Sequence, residues 1–184
     1  MGDSYGSSSF FLFVDGSTSS AKGEKVTPIQ PIVKFDGQYD WLSNFYVRPV
    51  KVGNLTFSNN EAAFQGAKYK AALCDQAEQY RYLEKMVQAD PQTAKNMGRR
   101  IPLDLDKWES IKVTCMREVV KAKFDQHADL HTKLIETGAA LLVEGNHWGD
   151  KFWGRCDGKG LNVLGSILME LRGYYFWKEY QSIW

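Results

Sequence analysis

The stretch FSNNEAAFQGAKY at residues 57–69 carries a helix start followed by a short apolar run. Ser58 or Asn59 can cap the helix, because a short polar side chain accepts a hydrogen bond from a free backbone N–H group of the first turn. The apolar periodicity then predicts a helix that continues to about residue 72. Two charged residues interrupt the apolar run, so the segment is not a simple core helix.

The charged residues share one face of this helix with an aromatic and an amide side chain. Residues three and four apart are neighbours on a helix, so the face consists of Glu61, Phe64, Gln65 and Lys68. Glu61 and Lys68 are separated by about 10.5 Å of helical rise, and their long side chains can reach over one ligand near Gln65. The alternative is that Glu61 is a capping carboxylate favoured by the helix dipole and Lys68 is a surface amine.

The composition is that of a globular protein in a reducing compartment. The chain has 184 residues, of which 43% are hydrophobic and 24% are charged, so one domain, or one domain with a tail, is expected. A net charge of +1 argues against binding long nucleic acid through bulk charge but is compatible with a local basic patch. Cys74, Cys115 and Cys156 lie far apart, and no apolar run approaches the roughly 20 residues of a membrane helix. We therefore expect an intracellular protein, cytoplasmic or nuclear, without disulfides or a membrane segment.

The chain divides into an N-terminal tail and one domain. Residues 1–30 are rich in Ser and Gly and are expected to form a flexible tail, and residues 31–184 are expected to form the domain. Within the tail, SSSFFLFVDG at residues 7–16 is compatible with an edge strand that docks on the domain, and the sequence leaves this open.

Helical signals dominate the domain, with one hairpin before them. Alternation of apolar and polar residues on both sides of Gly53-Asn54 predicts a β-hairpin. The remaining predicted elements are helices at 76–89, 91–98, from Asp106 to about 124, at 128–138 and from about Asn162 past 172, with Asn162 as a candidate cap, and a short buried strand at 140–145. The expected fold is a helix-dominated α+β class, a single compact domain with a small β-hairpin or sheet element.

Three further stretches have a composition that is typical of binding loops, with small, charged or aromatic residues close together. WLSNFY at 41–46 has two small polar residues between aromatic residues, and DKFWGRCDGKGLNVLG at 150–165 is rich in Gly. AKNMGRR at 94–100 places two guanidinium groups just past a predicted helix end. Glycine lets the backbone approach a ligand closely, so each stretch is compatible with a binding site. Taken singly, each is equally compatible with a turn or a solvated surface.

Together, these stretches occur in an order that resembles the NADAR domain family, also called the YbiA-like family. The matching segments are LSNFY (42–46), SNNEAAFQGAKY (58–69), AKNMGRR (94–100), KAKF (121–124), LIETG (134–138), LVE (142–144), DKFWG (150–154) and GKGLNVLGSILMELR (158–172), together with Trp108 and Lys112. The resemblance covers about residues 35–173. The sequence departs from the family at Ala62, where an aromatic residue or His is usual after the Glu, and this change is expected to affect packing and not chemistry.

The resemblance implies an N-glycosidase. Two substrate classes are associated with the family: early intermediates of riboflavin synthesis, and ADP-ribose attached to guanine bases in nucleic acid. In both, the ribose anomeric carbon is bonded to an exocyclic amine of a pyrimidinone-type ring, and the ribose 5-oxygen carries phosphate. We expect ADP-ribosylated guanine in nucleic acid to be the substrate. The alternatives are riboflavin intermediates as substrates, or a non-catalytic module that binds ADP-ribose or NAD.

The resemblance also implies an essential lysine that forms a Schiff base with the opened ribose, and Lys68 is the lysine of the matching motif. A lysine serves this role once burial or a nearby cation lowers its pKa. Glu61 is the expected general acid and base, and Asp150 is a second carboxylate that can activate water or bind a ribose hydroxyl. The rival mechanism uses Glu61 and Asp150 alone, on either side of an oxocarbenium ion.

Substrate binding is expected from polar and aromatic residues of the same motifs. Ser43 and Asn44 can hydrogen-bond ribose or phosphate. Phe45 or Trp153 can stack on a ring, with core packing as the alternative for Phe45.

Arginine and loop residues complete the expected binding set. Arg99 or Arg100 can bind phosphate through two parallel hydrogen bonds. Gly154 and Asn162 are expected to shape the loop that meets the substrate.

No metal and no cofactor are expected, and the protein is expected to act as a monomer. His127 and His131 are four residues apart, but no Glu follows the first His and no third ligand lies nearby. The basic residues of the long helix are expected on a solvated face, with contacts to a nucleic-acid backbone as the alternative; they are Lys112, Arg117, Lys121 and Lys123.

Overall fold

Six α-helices make up most of residues 29–182, the part of the chain that a computed structural model describes. They are α1 (Asn60–Gly66), α2 (Gln76–Gln88), α3 (Pro91–Gly98), α4 (Leu105–Gln126), α5 (Ala128–Glu136) and α6 (Val163–Gln181). The helix-dominated α+β class predicted from the sequence, with a single compact domain and a small β element, is confirmed. The candidate edge strand at 7–16 lies outside the described residues.

Helix α1 lies at the centre of the domain, and each of its seven residues is buried. Asn59 caps it, as one of the two predicted caps, by accepting a hydrogen bond from Ala62 N at 2.8 Å. Helices α2, α3 and α4 all pack against α1. Ala62 has no exposed surface, so the small side chain is accommodated in the closely packed interior.

The predicted single helix through residue 72 is wrong, because the chain changes its winding after Gly66. Residues Ala67–Ala71 form a 3₁₀-helix, a tighter coil that often ends an α-helix. Gly66 permits a close contact at this point, since a Cβ atom there would lie 2.9 Å from the ring of Phe57. Lys68 therefore belongs to the 3₁₀ segment and does not continue the α-helical face of Glu61 and Gln65.

The predicted hairpin is confirmed. Strands β1 (Val50–Val52) and β2 (Leu55–Phe57) pair antiparallel, with Val50 opposite Phe57. Gly53 has a φ of 59°, which the first central position of a type II′ turn requires and which glycine adopts without strain.

The candidate strand at 140–145 is wrong for most of its length. Leu142 forms only an isolated parallel bridge with Ile32, and the regular strand is the two-residue β3 (Gly145–Asn146), which pairs in parallel with β4 (Arg155–Cys156). Gly145 lies against the backbone of Val33, because a Cβ atom on Gly145 would be 2.2 Å from the carbonyl oxygen of Val33.

Helix α4 supplies the largest part of the core. Asp104 caps its first turn by accepting a hydrogen bond from Lys107 N at 3.0 Å. The helix begins at Leu105, one residue before the predicted start at Asp106. Trp108, Cys115 and Val119, which recur at helical spacing in the sequence, are all buried. Helix α4 packs against α1, β1 and α6, which places it beneath the site described below.

Lys123 of α4 is buried, which corrects the expectation that it lies on a solvated face. Its ammonium group donates hydrogen bonds to the carbonyl oxygens of Trp41 at 2.7 Å and of Ser43 at 2.8 Å. Burial lowers the pKa of Lys123 to about 7, against the opposing effect of Asp40 and Glu144. Lys123 therefore fastens the segment 41–46 to the long helix.

Replacing Lys123 with Met tests this fastening. Near pH 8 the variant is expected to lose about 1–3 kcal/mol of unfolding free energy, because the carbonyl oxygens of Trp41 and Ser43 lose their donor inside the protein. The measurement is urea unfolding followed by circular dichroism. The matched control is Lys107→Met on the exposed side of the same helix, which should stay within about 0.5 kcal/mol of the parent. Equal stability of the two variants would contradict the structural role.

Candidate active site

A cavity of about 650 Å³ opens between α1, α3, the segment 43–45 and the loop 144–153. Its size falls within the range of small-molecule sites. Glu61 and Gln65 of α1 form one wall, and Glu144 and Asp150 of the loop form another. Acidic, basic and aromatic side chains therefore meet in one enclosed space.

Glu61 is held in the cavity wall by its backbone and by its side chain. Its backbone N–H donates to the carbonyl oxygen of Asn44 at 2.9 Å, and its Oε1 accepts a hydrogen bond from Gln65 Nε2 at 2.9 Å. Burial raises the pKa of Glu61, while the Gln65 hydrogen bond and the charges of Lys95, Lys68 and Arg99 work in the opposite direction. The carboxyl group is thus desolvated but surrounded by groups that favour its anion.

Lys68 lies close enough to Glu61 for their charges to interact, but it does not line the cavity. Its ammonium group donates a hydrogen bond of 2.5 Å to the carbonyl oxygen of Gly98 and lies 5.7 Å from the ring centroid of Trp108. Burial lowers the pKa of Lys68, the charge of Arg99 lowers it further, and the charge of Glu61 opposes both. A lowered pKa increases the fraction of neutral, nucleophilic amine at neutral pH.

Glu144 is a cavity residue that the sequence analysis did not select. Burial and the neighbouring charge of Asp150 raise the pKa of Glu144 from its ordinary value of 4.5 to about 7. Its Oε2 is buried and has no hydrogen-bond partner among residues 29–182. The available signal was the LVE segment of the family resemblance, in which one acid ends an apolar run.

Asp150 lines the cavity, as expected, but part of its carboxylate is committed to the loop. Its Oδ1 accepts hydrogen bonds from Phe152 N at 3.1 Å and from Trp153 N at 2.9 Å. The side chain of Asn146 makes two hydrogen bonds to the backbone of Asp150. Its Oδ1 accepts from Asp150 N at 3.1 Å, and its Nδ2 donates to Asp150 O at 2.7 Å. Asp150 therefore folds the loop as well as contributing charge to the cavity.

Ser43, Asn44 and Phe45 all line the cavity. Ser43 Oγ accepts a hydrogen bond from Phe45 N at 3.1 Å, and buried Asn44 accepts one from Asn60 Nδ2 at 3.0 Å. Phe45 is 37% exposed, so it is not a core residue. The segment presents two polar groups and one accessible ring to a ligand.

The two candidate phosphate-binding arginines are separated by the structure. Arg99 lines the cavity together with Glu61. Arg100 lines a different cleft, of about 630 Å³, with Arg81 and Lys85 of α2. Consecutive residues at a helix end point in different directions, so Arg100 is not part of the candidate active site.

Gly154 and Asn162, which were expected to shape the loop that meets the substrate, are not among the residues that line the cavity. A Cβ atom on Gly154 would lie 2.1 Å from the carbonyl oxygen of Glu144. The side chain of Asn162 accepts a hydrogen bond from Glu144 N at 3.0 Å and donates one to Leu142 O at 2.9 Å. Both residues act on the backbone that carries Glu144.

Asn162 is also not the expected side-chain cap of α6. The residue occupies the cap position with a left-handed backbone, at φ 57°, but its side chain makes no capping hydrogen bond. The amide group is already used by the segment 142–144.

Aromatic residues close the remaining sides of the cavity. Trp153 lines it and packs edge-on against Phe64 at a centroid distance of 5.2 Å. Phe64 in turn contacts the buried Trp108 at 5.5 Å, so Trp108 is a core residue. At the mouth, the ammonium group of Lys95 lies 5.3 Å from the ring centroid of Phe45 and 5.4 Å from that of Trp148.

The described part of the chain contains neither a metal-binding cluster nor a membrane-spanning helix. Among residues 29–182, no group of three or more His, Cys, Asp or Glu side chains is arranged to hold a metal ion. Within the same residues, no helix has the length and apolar character needed to cross a membrane.

The chain is similar to proteins of one family in both sequence and structure. The NADAR domain model matches residues 33–174. N-glycosidase YbiA of Shigella flexneri is 42% identical over 136 residues, which cover 73% of this chain and 80% of that protein. A riboflavin biosynthesis protein of Vibrio vulnificus is 33% identical over 148 residues, covering 78% of this chain and 38% of that protein. The NMR structure of YbiA from E. coli superimposes with a TM-score of 0.69 at 36% identity and covers 83% of this chain and 89% of that chain.

The raised pKa of Glu144 predicts a pH-dependent effect on stability. Between about pH 4.5 and pH 7 the folded protein retains a proton that the unfolded chain has lost, so Glu144 makes folding less favourable as the pH rises through this range. Glu144→Gln cannot ionise and should be more stable than the parent by about 2 kcal/mol near pH 8.5. The difference should shrink near pH 5, where the folded carboxyl is neutral.

Thermal unfolding of both proteins at the two pH values measures this difference. Glu84→Gln, on the exposed face of α2, is the matched control and should show no pH-dependent change relative to the parent. A Glu144→Gln effect of the same size at both pH values would mean that the Glu144 carboxyl ionises normally in the folded protein.

Proposed function

The chain belongs to the NADAR domain family and is an N-glycosidase, and we propose that it cleaves the bond between ribose C1 and an exocyclic base amine. The proposed substrate is ADP-ribosylated guanine in nucleic acid, from which the enzyme releases ADP-ribose. No cofactor enters the proposed reaction, and the nucleophile is a lysine of the chain itself.

One observation supports this proposal most directly: a buried glutamate lies beside a lysine that burial makes less basic. Glu61 and Lys68 influence each other's pKa, and both are withdrawn from solvent. A binding module for ADP-ribose has no need of a nucleophilic amine, whereas the lysine-imine route uses both a proton donor and an amine that can exchange with the base.

The proposed reaction begins with protonation of the ribose ring oxygen. The C1–O bond breaks, its electron pair goes to the protonated oxygen, and the nitrogen lone pair of the base forms a C1=N iminium. Neutral Lys68 adds to C1, a proton passes from its nitrogen to the base nitrogen, and the base amine leaves. Water then adds to C1 of the lysine imine and releases the open sugar as an aldehyde, which restores the lysine. In this reaction the Lys68 ammonium group breaks its hydrogen bond to Gly98 O and moves into contact with the sugar.

The remaining cavity residues suit a phosphorylated ribose attached to a flat ring. Lys95 and Arg99 bring positive charge to the cavity, where they can neutralise phosphate. Phe45, Trp148 and Trp153 offer aromatic surfaces to a base. Ser43 and Gln65 provide polar groups to ribose hydroxyls, and Gln65 Oε1 has no partner among residues 29–182.

A second candidate substrate is an early riboflavin-pathway intermediate with the same glycosylamine bond. A relative of 33% identity from Vibrio vulnificus is named a riboflavin biosynthesis protein, which is the observation that favours this candidate. Both candidates place ribose C1 and a phosphate at the same positions, so the residues assigned above serve either reaction.

Trapping with borohydride tests the lysine nucleophile. Reduction during turnover should link the sugar covalently to Lys68, and Lys68→Ala should lose the adduct and at least about 100-fold in kcat. Mass spectrometry of the digested protein locates the adduct. The matched control is Lys70→Ala, two residues along the chain at an exposed position, which should retain both. An adduct on cavity-lining Lys95, or an active Lys68→Ala enzyme, would exclude Lys68 as the nucleophile.

Competition between substrates tests the substrate class. Incubation with a DNA oligonucleotide carrying ADP-ribosylated guanine should release ADP-ribose with a higher kcat/KM than the release of ribose 5-phosphate from a riboflavin intermediate. Chromatographic quantification of the two sugars gives both values. The opposite ranking would select the riboflavin intermediate, and tight ADP-ribose binding without release from either compound would indicate a binding module.

A further inference from the structure

Glu61 and Glu144 lie in the same cavity but in opposite electrostatic surroundings. Glu61 accepts a hydrogen bond from Gln65, and three cations, Lys68, Lys95 and Arg99, act on it. Those contacts favour a carboxylate, although burial opposes it.

Glu144 has the reverse pattern of neighbours. The charges of Asp150, Asp36 and Glu61 all disfavour its anion, and the opposing positive charges are those of Lys95 and of the buried Lys123. Its buried Oε2 has no hydrogen-bond partner within residues 29–182. With a pKa of about 7, a large fraction of the Glu144 carboxyl groups is still protonated at neutral pH, because Oε2 of the anion would be neither solvated nor hydrogen-bonded.

The backbone of Glu144 is fixed from three directions. Asn162 accepts a hydrogen bond from its N–H, and Arg155 N donates to its carbonyl oxygen at 2.8 Å. Gly154 packs so tightly against the same carbonyl that no side chain fits there. The segment is therefore held in one position while its side chain lines the cavity, which is how a reacting group is preorganised.

We propose that Glu144 is the proton donor of the N-glycosidase reaction, giving its proton to the ribose ring oxygen when the sugar opens, while Glu61 acts as the carboxylate base. This assignment rests on the proposed function. Burial raises the pKa of both carboxyl groups, but Glu61 has a hydrogen-bond donor and three cations that stabilise its anion, whereas Glu144 Oε2 has no partner among residues 29–182. Two carboxyl groups with such different partners can divide acid and base roles in one site. Neither glutamate then has to act as both acid and base while the sugar ring opens.

The proton balance closes over one turnover. Glu144 loses its proton to the ring oxygen and becomes a carboxylate as the C1–O bond breaks. Glu61 carries a proton from the Lys68 nitrogen to the departing base nitrogen, and later takes one from the water that attacks C1 and passes it to the leaving lysine nitrogen. The proton released as the sugar aldehyde forms returns to Glu144.

The test compares Glu144→Gln with Glu144→Asp and with the exposed control Glu84→Gln, using DNA with ADP-ribosylated guanine as substrate. Glu144→Gln should lose about 100- to 10,000-fold in kcat with little change in KM, because the amide keeps the shape but cannot transfer a proton. Glu144→Asp should restore part of the rate. The parent should lose kcat above about pH 7, the pKa of Glu144, and this decline should be absent from the residual activity of Glu144→Gln.

Borohydride trapping separates the acid step from the lysine step. Free ADP-ribose reaches its aldehyde form without breaking a bond to a base, so it should still be trapped on Lys68 in Glu144→Gln, whereas the intact substrate should not. Parent-like kcat in Glu144→Gln, or an unchanged alkaline decline, overturns the assignment. Loss of trapping with free ADP-ribose also overturns it, since Glu144 would then act on the lysine step. If the parent protein itself forms no adduct and releases no sugar, the proposed function fails instead.

Discussion

The buried carboxyl group of Glu61 is the constraint on which the site depends. Helix α1 is buried along its whole length, so an ionisable side chain on it must be neutral or be partnered inside the protein. Gln65, one turn further along the same helix, supplies the hydrogen bond. Lys68, Lys95 and Arg99 supply positive charge from the 3₁₀ segment and from α3. The packing of α3 on α1 therefore also places positive charge where it stabilises the Glu61 carboxylate.

Gly98 is where that packing is closest. A Cβ atom there would lie 1.9 Å from Gln65 Oε1, so a larger residue would push away the amide that bonds Glu61. The carbonyl oxygen of Gly98 also accepts the hydrogen bond of Lys68. One glycine at the end of α3 thus affects both the hydrogen-bond donor of Glu61 and the resting position of the Lys68 amine, and the next residue, Arg99, lines the cavity.

The sequence was informative where local signals are strong and less so where contacts are distant. Capping by Asn59, the turn at Gly53 and the inner face of α4 follow from neighbours within a few residues. The burial of Lys123 depends on carbonyl oxygens about 80 residues away, and no local pattern reports them. Asn162 was selected correctly as special but for the wrong contact, because its partners lie in the segment 142–144. The LVE segment drew attention to Glu144, but its raised pKa depends on Asp150 and on the missing partner of Oε2, which only the three-dimensional structure shows.

A crystal structure with ADP-ribose bound is the most direct measurement of whether one sugar carbon meets both the Glu61 carboxylate and the Lys68 amine. The anomeric carbon is expected inside the 650 Å³ cavity, with the Lys68 nitrogen turned away from Gly98 O and within about 3.5 Å of that carbon, as a near-attack arrangement requires. Glu61 should lie on the same side of the sugar. A ribose bound in the cleft of Arg100, or a Lys68 still bonded to Gly98 with the anomeric carbon out of its reach, would contradict the mechanism.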